Sequence, residues 1–235
     1  MKKLFLLLLV IFSNNTNLYS QDSEFDKLMQ QDWANLQKYS SDNKKLQEEQ
    51  VKPSVVFMGN SITEGWARAN PQFFSNNNFV GRGISGQTTP QMLIRFFPDV
   101  IDLNPEAVVI LAGTNDIAGN TGASTVKMIT NNITAMAQLA QANGIKVILA
   151  SILPTYNYPW RTQIKPIEKI TEINEWLKEY AEENNHTYLD LYSALVDHRK
   201  GLKAEYSEDG VHPNEKGYSV MEPLAKEAIR QTLSK

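Results

Sequence analysis

Short apolar runs alternate along the chain with longer stretches of helical spacing. Ser54–Met58 (SVVFM), Ala107–Ala112 (AVVILA) and Lys146–Ser151 (KVILAS) are rich in β-branched and other apolar residues. Runs of this kind read as strands buried on both faces. Asn78–Val80 and Thr187–Leu191 predict two shorter strands. Between them, Ser124–Ala142 repeats apolar residues at Val126, Ile129, Ile133, Met136 and Ala140, a helix that Gly144 closes. Ile164–Ala181 carries a second such stripe through Ile164, Ile167, Ile170, Leu177 and Tyr180. Thr89–Leu103 is helical in pattern but interrupted by Pro98, and the chain from Asn214 onward is helical with a kink or restart at Pro223. Strands separated by helices predict a parallel sheet covered on both faces. The expectation is a three-layer α/β/α sandwich, flavodoxin-like, with five parallel strands ordered 2-1-3-4-5.

The N-terminal part differs. Lys2 and Lys3 precede an unbroken apolar run, LFLLLLVIF, which is short for a bilayer and is followed by polar SNNTNLYSQ. That is the pattern of a secretory signal peptide over residues 1–20, cleaved near Ser20–Gln21, rather than of a retained anchor. Export to the periplasm or medium is the consequence, with no stable membrane insertion after cleavage. Residues 21–50 form an N-terminal helical segment in this reading. Phe25, Leu28, Met29, Trp33, Leu36 and Tyr39 predict an amphipathic helix over 22–39, and SSDNKKLQEEQ a polar helix end or connector. Residues 51–235 are then one domain.

Composition narrows the function. With 42% hydrophobic and 21% charged residues the 235-residue chain is globular rather than disordered. There are 23 Lys and Arg against 26 Asp and Glu; removing residues 1–20 leaves 21 − 26 = −5. A mildly acidic chain lacks the electrostatics of a nucleic-acid binder. With no Cys there is no thiol nucleophile, disulfide or thiolate metal site, and lipid attachment to a Cys at the leader is excluded. Three His and no H-E-x-x-H argue against a transition-metal centre.

In a sheet of this type the chemistry lies beyond the carboxyl ends of the strands. Gly59-Asn60-Ser61-Ile62-Thr63 comes after the first strand, and Gly81-Arg82-Gly83-Ile84-Ser85-Gly86-Gln87-Thr88 after the second. Gly113-Thr114-Asn115-Asp116 comes after the third, and Asp209-Gly210-Val211-His212-Pro213 lies near the C-terminus. These four blocks, in this order, resemble the SGNH hydrolases, also called the GDSL family of esterases and lipases, over nearly all of Ser54–Leu224. The second block and the spacing resemble the branch containing the platelet-activating-factor acetylhydrolase catalytic subunits. The resemblance implies the SGNH hydrolase fold and a serine esterase without metal or organic cofactor.

The residues support that chemistry on their own. A serine hydroxyl needs a base, and His212 is the best one present. Asp209, three residues earlier, is close enough to hold the imidazole in one tautomer. The family's pattern implies an oxyanion hole made of the Ser61 and Gly86 backbone N–H groups and the Asn115 side chain. Two positions depart from it: Asn60 stands where Gly-Asp-Ser is common, and Gln87 where an Asp often comes after the glycine.

Blander roles compete. Ser61 alone could be a helix cap. Asn115 could be, and Asp116 is expected to be, a turn residue. Asp190, a rival carboxylate on the last strand, reads as a cap or structural residue, His186 and His198 as surface residues, Trp66 as core, and Gly81 and Gly83 as turn glycines. Gly81-x-Gly83-x-x-Gly86 matches a dinucleotide-binding pattern but sits after the second strand, and Glu106 begins the next strand at the wrong end of the sheet. No Gly-x-Ser-x-Gly elbow of an α/β-hydrolase occurs. In the loop LPTYNYPWR, Tyr156, Tyr158 and Trp160 are expected substrate contacts. The expected substrate is a small-molecule or glycan ester with a short acyl group, acetyl on carbohydrate foremost. A lysophospholipase- or thioesterase-like acylhydrolase and a non-catalytic carbohydrate-binding protein are the alternatives.

Overall fold

A computed structural model describes residues 26–27 and 30–235. The signal-peptide reading therefore falls outside the described residues. The chain divides into a unit ending at Trp33 and one from Ala34 to Lys235. In the first, the described backbone makes two turn-like bonds, Gln30 N–H to the Asp26 carbonyl and Trp33 N–H to the Gln31 carbonyl, both at 2.9 Å. The second contains the sheet and every motif that carries chemistry.

Its sheet has five strands: β1 (Val55–Gly59), β2 (Phe79–Gly83), β3 (Ala107–Leu111), β4 (Lys146–Ala150) and β5 (Thr187–Leu189). Their order is β2-β1-β3-β4-β5, that of the expected flavodoxin-like fold, and all pairs are parallel, as the alternation of runs predicts. Gly59 pairs with Gly83 on one side and Leu111 on the other. Strands β2, β1 and β3 thus stop at one level, and the loops after them start from neighbouring strand ends.

The buried strands feed two cores. Val56, Met58, Val108, Ile110, Val147 and Leu149 face one side; Val55, Phe57, Val109, Leu111, Ile148 and Ala150 face the other. The first side is covered by the helices Val126–Ala142 and Ile167–Glu183 through Ile129, Ile133, Met136, Ile170, Ile173 and Leu177. The second is covered by α2 (Ser61–Ala69) and the helix Glu215–Ser234, with Trp66 stacked between Phe73 and Tyr218. Trp66 is a core residue, as its position predicts. Each such fully buried large side chain contributes about 1.5–3 kcal/mol relative to exposure.

Three elements depart from expectation. Residues 30–39 are turns, and the helix lies afterwards, as α1 (Ser40–Glu48). Phe25, Leu28 and Met29 lie outside the described residues, and Trp33 and Leu36 are exposed. Helix α1 is polar, buries only Asn43, and carries ion pairs Lys44–Glu48 and Lys45–Glu49. Thr89–Leu103 breaks into Thr89–Ile94, Phe96–Asp99 and a 3₁₀ turn. The C-terminal helix, in contrast, runs unbroken through Pro223. The carbonyl that loses its bond there belongs to exposed Ser219, where water can satisfy it.

Candidate active site

Ser61 is the first residue of α2, directly beyond β1. The capping role that a serine could fill here belongs to Asn60, whose Oδ1 accepts the Ile62 N–H at 3.0 Å. The Asp-to-Asn departure therefore keeps the cap and drops only its charge. The Ser61 hydroxyl is left to His212: Oγ lies 2.9 Å from Nε2. His212 Nδ1 lies 2.7 Å from Asp209 Oδ2. An ionised carboxylate only accepts, so Nδ1 carries the proton and Nε2 is free to accept the Ser61 proton.

Asp209 is held by its own turn. Its Oδ1 accepts the N–H groups of His212 at 2.8 Å and Val211 at 2.9 Å, with Gly210 preceding them at φ +78°. Burial alone would raise the Asp209 carboxyl, but the His212 backbone N–H, the imidazole and the Val211 N–H outweigh it and hold it below its ordinary value. It stays ionised, as an orienting carboxylate must.

The three expected oxyanion donors follow the ends of the neighbouring strands β1, β2 and β3. Among the described residues neither the Ser61 nor the Gly86 backbone N–H has an acceptor. Gly86 adopts φ +80°, a left-handed conformation that disfavours any side chain, and its carbonyl is fixed by Asn120 Nδ2 at 3.0 Å. Buried Asn115 donates from Nδ2 to the Gln87 carbonyl at 2.9 Å, which uses one amide hydrogen and leaves the other uncommitted. Gly81 and Gly83 are not turn glycines. Both lie within β2, and a Cβ at Gly83 would sit 2.2 Å from the Glu64 backbone nitrogen. Close approach of strand and helix, rather than backbone freedom, requires glycine there.

The aromatic loop divides. Trp160 is exposed and stacks on the His212 ring, with centroids 6.1 Å apart. Tyr156 is also exposed, under the Arg199 guanidinium. Tyr158 cannot touch substrate. It is fully buried, its Oη donates to the Thr114 carbonyl at 2.9 Å, and burial pushes its phenol far up. Its ring fills the core under β3, where it supports the turn that carries Asn115.

Asp116 is likewise more than a turn residue. It is 2% exposed, accepts the Thr89 N–H at 3.0 Å and the Thr89 hydroxyl at 2.6 Å, and burial pushes its carboxyl up to about 6. The ionised form is thus penalised in the fold, so stability should rise as pH falls through that value. Between pH 7 and 5 the wild type should gain about 1 kcal/mol relative to Asp116→Asn. Denaturant melts at the two pH values check this; parallel changes in both proteins would contradict it.

Asp190 caps the turn at Ser193 as expected, and His198 is exposed. His186 is half-buried and its Nε2 has no partner among the described residues.

A cleft of about 830 Å³ opens beside the Ser61–His212 pair. Its walls include Gly65, Arg68, Glu208, Glu215 and Lys216. None of these four charged side chains has a hydrogen bond or ion pair within the described chain.

The sequence profile of the GDSL-like Lipase/Acylhydrolase family matches residues 57–220. The chain belongs to this family. A Bacteroides fragilis protein proposed to be an acylhydrolase is 49% identical, covers 87% of the chain over 100% of its own, and superposes with TM-score 0.83. A GDSL-like lipase from Bacteroides thetaiotaomicron is 48% identical over 84% of this chain and 98% of its own, with TM-score 0.81. An acetylxylan esterase of Xylanibacter ruminicola is 25% identical over 211 residues, 75% of this chain and 43% of the relative. This chain spans less than half the length of the curated relatives it matches. No helix among the described residues is long and apolar enough to cross a membrane.

Proposed function

We propose that this protein is an exported serine esterase that removes short acyl groups, acetyl foremost, from carbohydrate. Ser61 attacks the ester carbonyl while His212 takes its proton. The tetrahedral oxyanion is bound by the Ser61 and Gly86 N–H groups and the second amide hydrogen of Asn115. His212 then protonates the leaving alcohol, and water activated by the same imidazole releases the acid from acyl-Ser61. The observation that carries this reading is the chain of contacts Ser61–His212–Asp209, at 2.9 and 2.7 Å, beside two uncommitted backbone N–H groups.

Two features support a polar, hydroxyl-rich alcohol over a lipid. The cleft at the nucleophile is walled by four charged side chains without partners among the described residues, which can hydrogen-bond the hydroxyls of a sugar. The acetylxylan esterase among the relatives points to the same class. The leading apolar run supports export. Acetate should be released from acetylated xylo-oligosaccharides, and p-nitrophenyl acetate should be cleaved faster than the octanoate. The reverse chain-length preference would replace this reading with a lipid acylhydrolase. Oligosaccharide binding without turnover would replace it with a binding protein.

Arg68 tests the cleft separately. It is seven residues after Ser61 on the same face of α2, within reach of an alcohol that extends along the helix. Arg68→Ala should raise KM for an acetylated xylo-oligosaccharide at least about tenfold, the loss of one charged hydrogen bond, and leave p-nitrophenyl acetate kinetics unchanged. Equal effects on both substrates would show that the oligosaccharide does not extend along this wall.

A further inference from the structure

The segment Ala34–Glu48 is tied to the rest of the domain by buried polar side chains. The Tyr39 hydroxyl donates to the Gly83 carbonyl at the end of β2. Asn43 accepts from Arg82 Nε at 2.8 Å and donates to Asp99 at 2.7 Å. The Ala34 carbonyl accepts Gln87 Nε2 at 2.6 Å. Behind Gln87 stands Arg95, whose side chain is fully buried. Its Nε donates to Gln87 Oε1 at 2.5 Å, Nη1 to Asp99 at 2.8 Å and Nη2 to the Gly59 carbonyl at 2.8 Å.

A buried ion pair of this kind is a weak source of stability, because desolvation of both charges offsets most of their attraction. Its contribution here is geometry. Gly59, held by Arg95, is two residues before Ser61. Gln87, held by Arg95 and Ala34, comes directly after Gly86. The Gln87 carbonyl holds the Asn115 amide. Each of the three oxyanion donors is thus within two residues or one hydrogen bond of a group that Arg95 or Gln87 holds.

Resting on the esterase reading, we propose that Gln87 and Arg95 are positioning residues that set the three oxyanion donors together, with Ala34–Glu48 bracing them from outside. Neither side chain contacts the ester. Gln87 fixes the peptide after Gly86 and the rotamer of Asn115; Arg95 couples that loop to the strand end that carries Ser61. Donors displaced by a fraction of an ångström bind the developing oxyanion poorly while ground-state binding is little affected. The signature is a loss in kcat with KM retained.

The test compares the wild type with Gln87→Met, which deletes both side-chain bonds at similar length, and Gln87→Glu, which keeps an acceptor for Arg95. The readouts are p-nitrophenyl acetate kinetics, the melting temperature, and inhibition by phenylboronic acid, which forms a tetrahedral adduct on an active-site serine. Gln87→Met should lower kcat about 10- to 100-fold, keep KM, and weaken the boronic acid by a similar factor. Gln87→Glu should recover part of both losses. If Gln87→Met does not fold, Gln87→Glu, which removes only the donor to the Ala34 carbonyl, should show the same split at smaller size.

Wild-type kcat and boronic-acid affinity in folded Gln87→Met would overturn the positioning role, as would wild-type values in Gln87→Glu where Gln87→Met fails to fold. So would a loss confined to KM. A wild type without Ser61-dependent turnover would instead overturn the esterase reading.

Discussion

Ser61→Ala should lower kcat/KM for p-nitrophenyl acetate by about 10⁵- to 10⁶-fold, with folding unchanged. The magnitude reflects the hydroxyl's role. It is the atom that bonds to the acyl carbon, so its loss removes the covalent route and leaves only water near the oxyanion donors. The fold should tolerate the change. The hydroxyl's one contact is the imidazole, and the start of α2 is capped by Asn60. His212→Ala should cost about as much, and the double variant little more, because residues that act as a unit are not additive. A residual rate within tenfold of wild type in purified Ser61→Ala would mean that the nucleophile lies elsewhere.

Asp209→Asn should lower kcat by about 10³- to 10⁴-fold. A neutral amide can offer Nδ2–H to the imidazole, which reverses the tautomer and turns Nε2 from acceptor into donor. The Ser61 proton then has no destination. Part of the loss comes from the missing negative charge beside the imidazolium that forms in the transition state. Because Asp209 also accepts two backbone N–H groups, the variant should melt a few degrees lower. The separable signature is kcat, measured at a temperature where both proteins are folded. A folded Asp209→Asn with wild-type kcat would shift the orienting role to another group.

Much of this arrangement is legible in the chain, for a definite reason. Buried parallel strands must be apolar throughout, so SVVFM, AVVILA and KVILAS announce themselves. The residues just beyond each strand then lie at the functional edge by topology alone. Topology thus places Ser61 and the blocks holding Gly86 and Asn115 at that edge, while the oxyanion roles of Gly86 and Asn115 come from the family resemblance and the Asp209–His212 pair from its three-residue spacing. Tyr158 is not legible in this way, because three aromatics in one loop share the same local sequence signal. Only the packing decides that the middle one turns inward to Thr114 while Trp160 lies on His212.

The N-terminal segment escapes a sequence reading for a related reason. Its helix, α1, docks through Asn43, and Tyr39 just before it docks through its hydroxyl, whereas periodicity detects only apolar stripes. Arg95 is the extreme case. Arginine is ordinarily an exposed residue, and its burial against Gln87, Asp99 and the Gly59 carbonyl depends on partners 4 to 36 positions away. Asp116 looks like a turn residue in the chain, yet it is committed to Thr89 across 27 positions.

The most direct test of the central claim is to look for the acyl-enzyme. The protein is mixed with p-nitrophenyl acetate, quenched in acid during the first turnover, digested and mapped by mass spectrometry. An acetyl group on Ser61, absent from Ser61→Ala and trapped in larger amount when hydrolysis is slowed, is the result expected of a serine esterase built this way. Full turnover with no acetyl on Ser61, or with the acetyl on another residue, would contradict it.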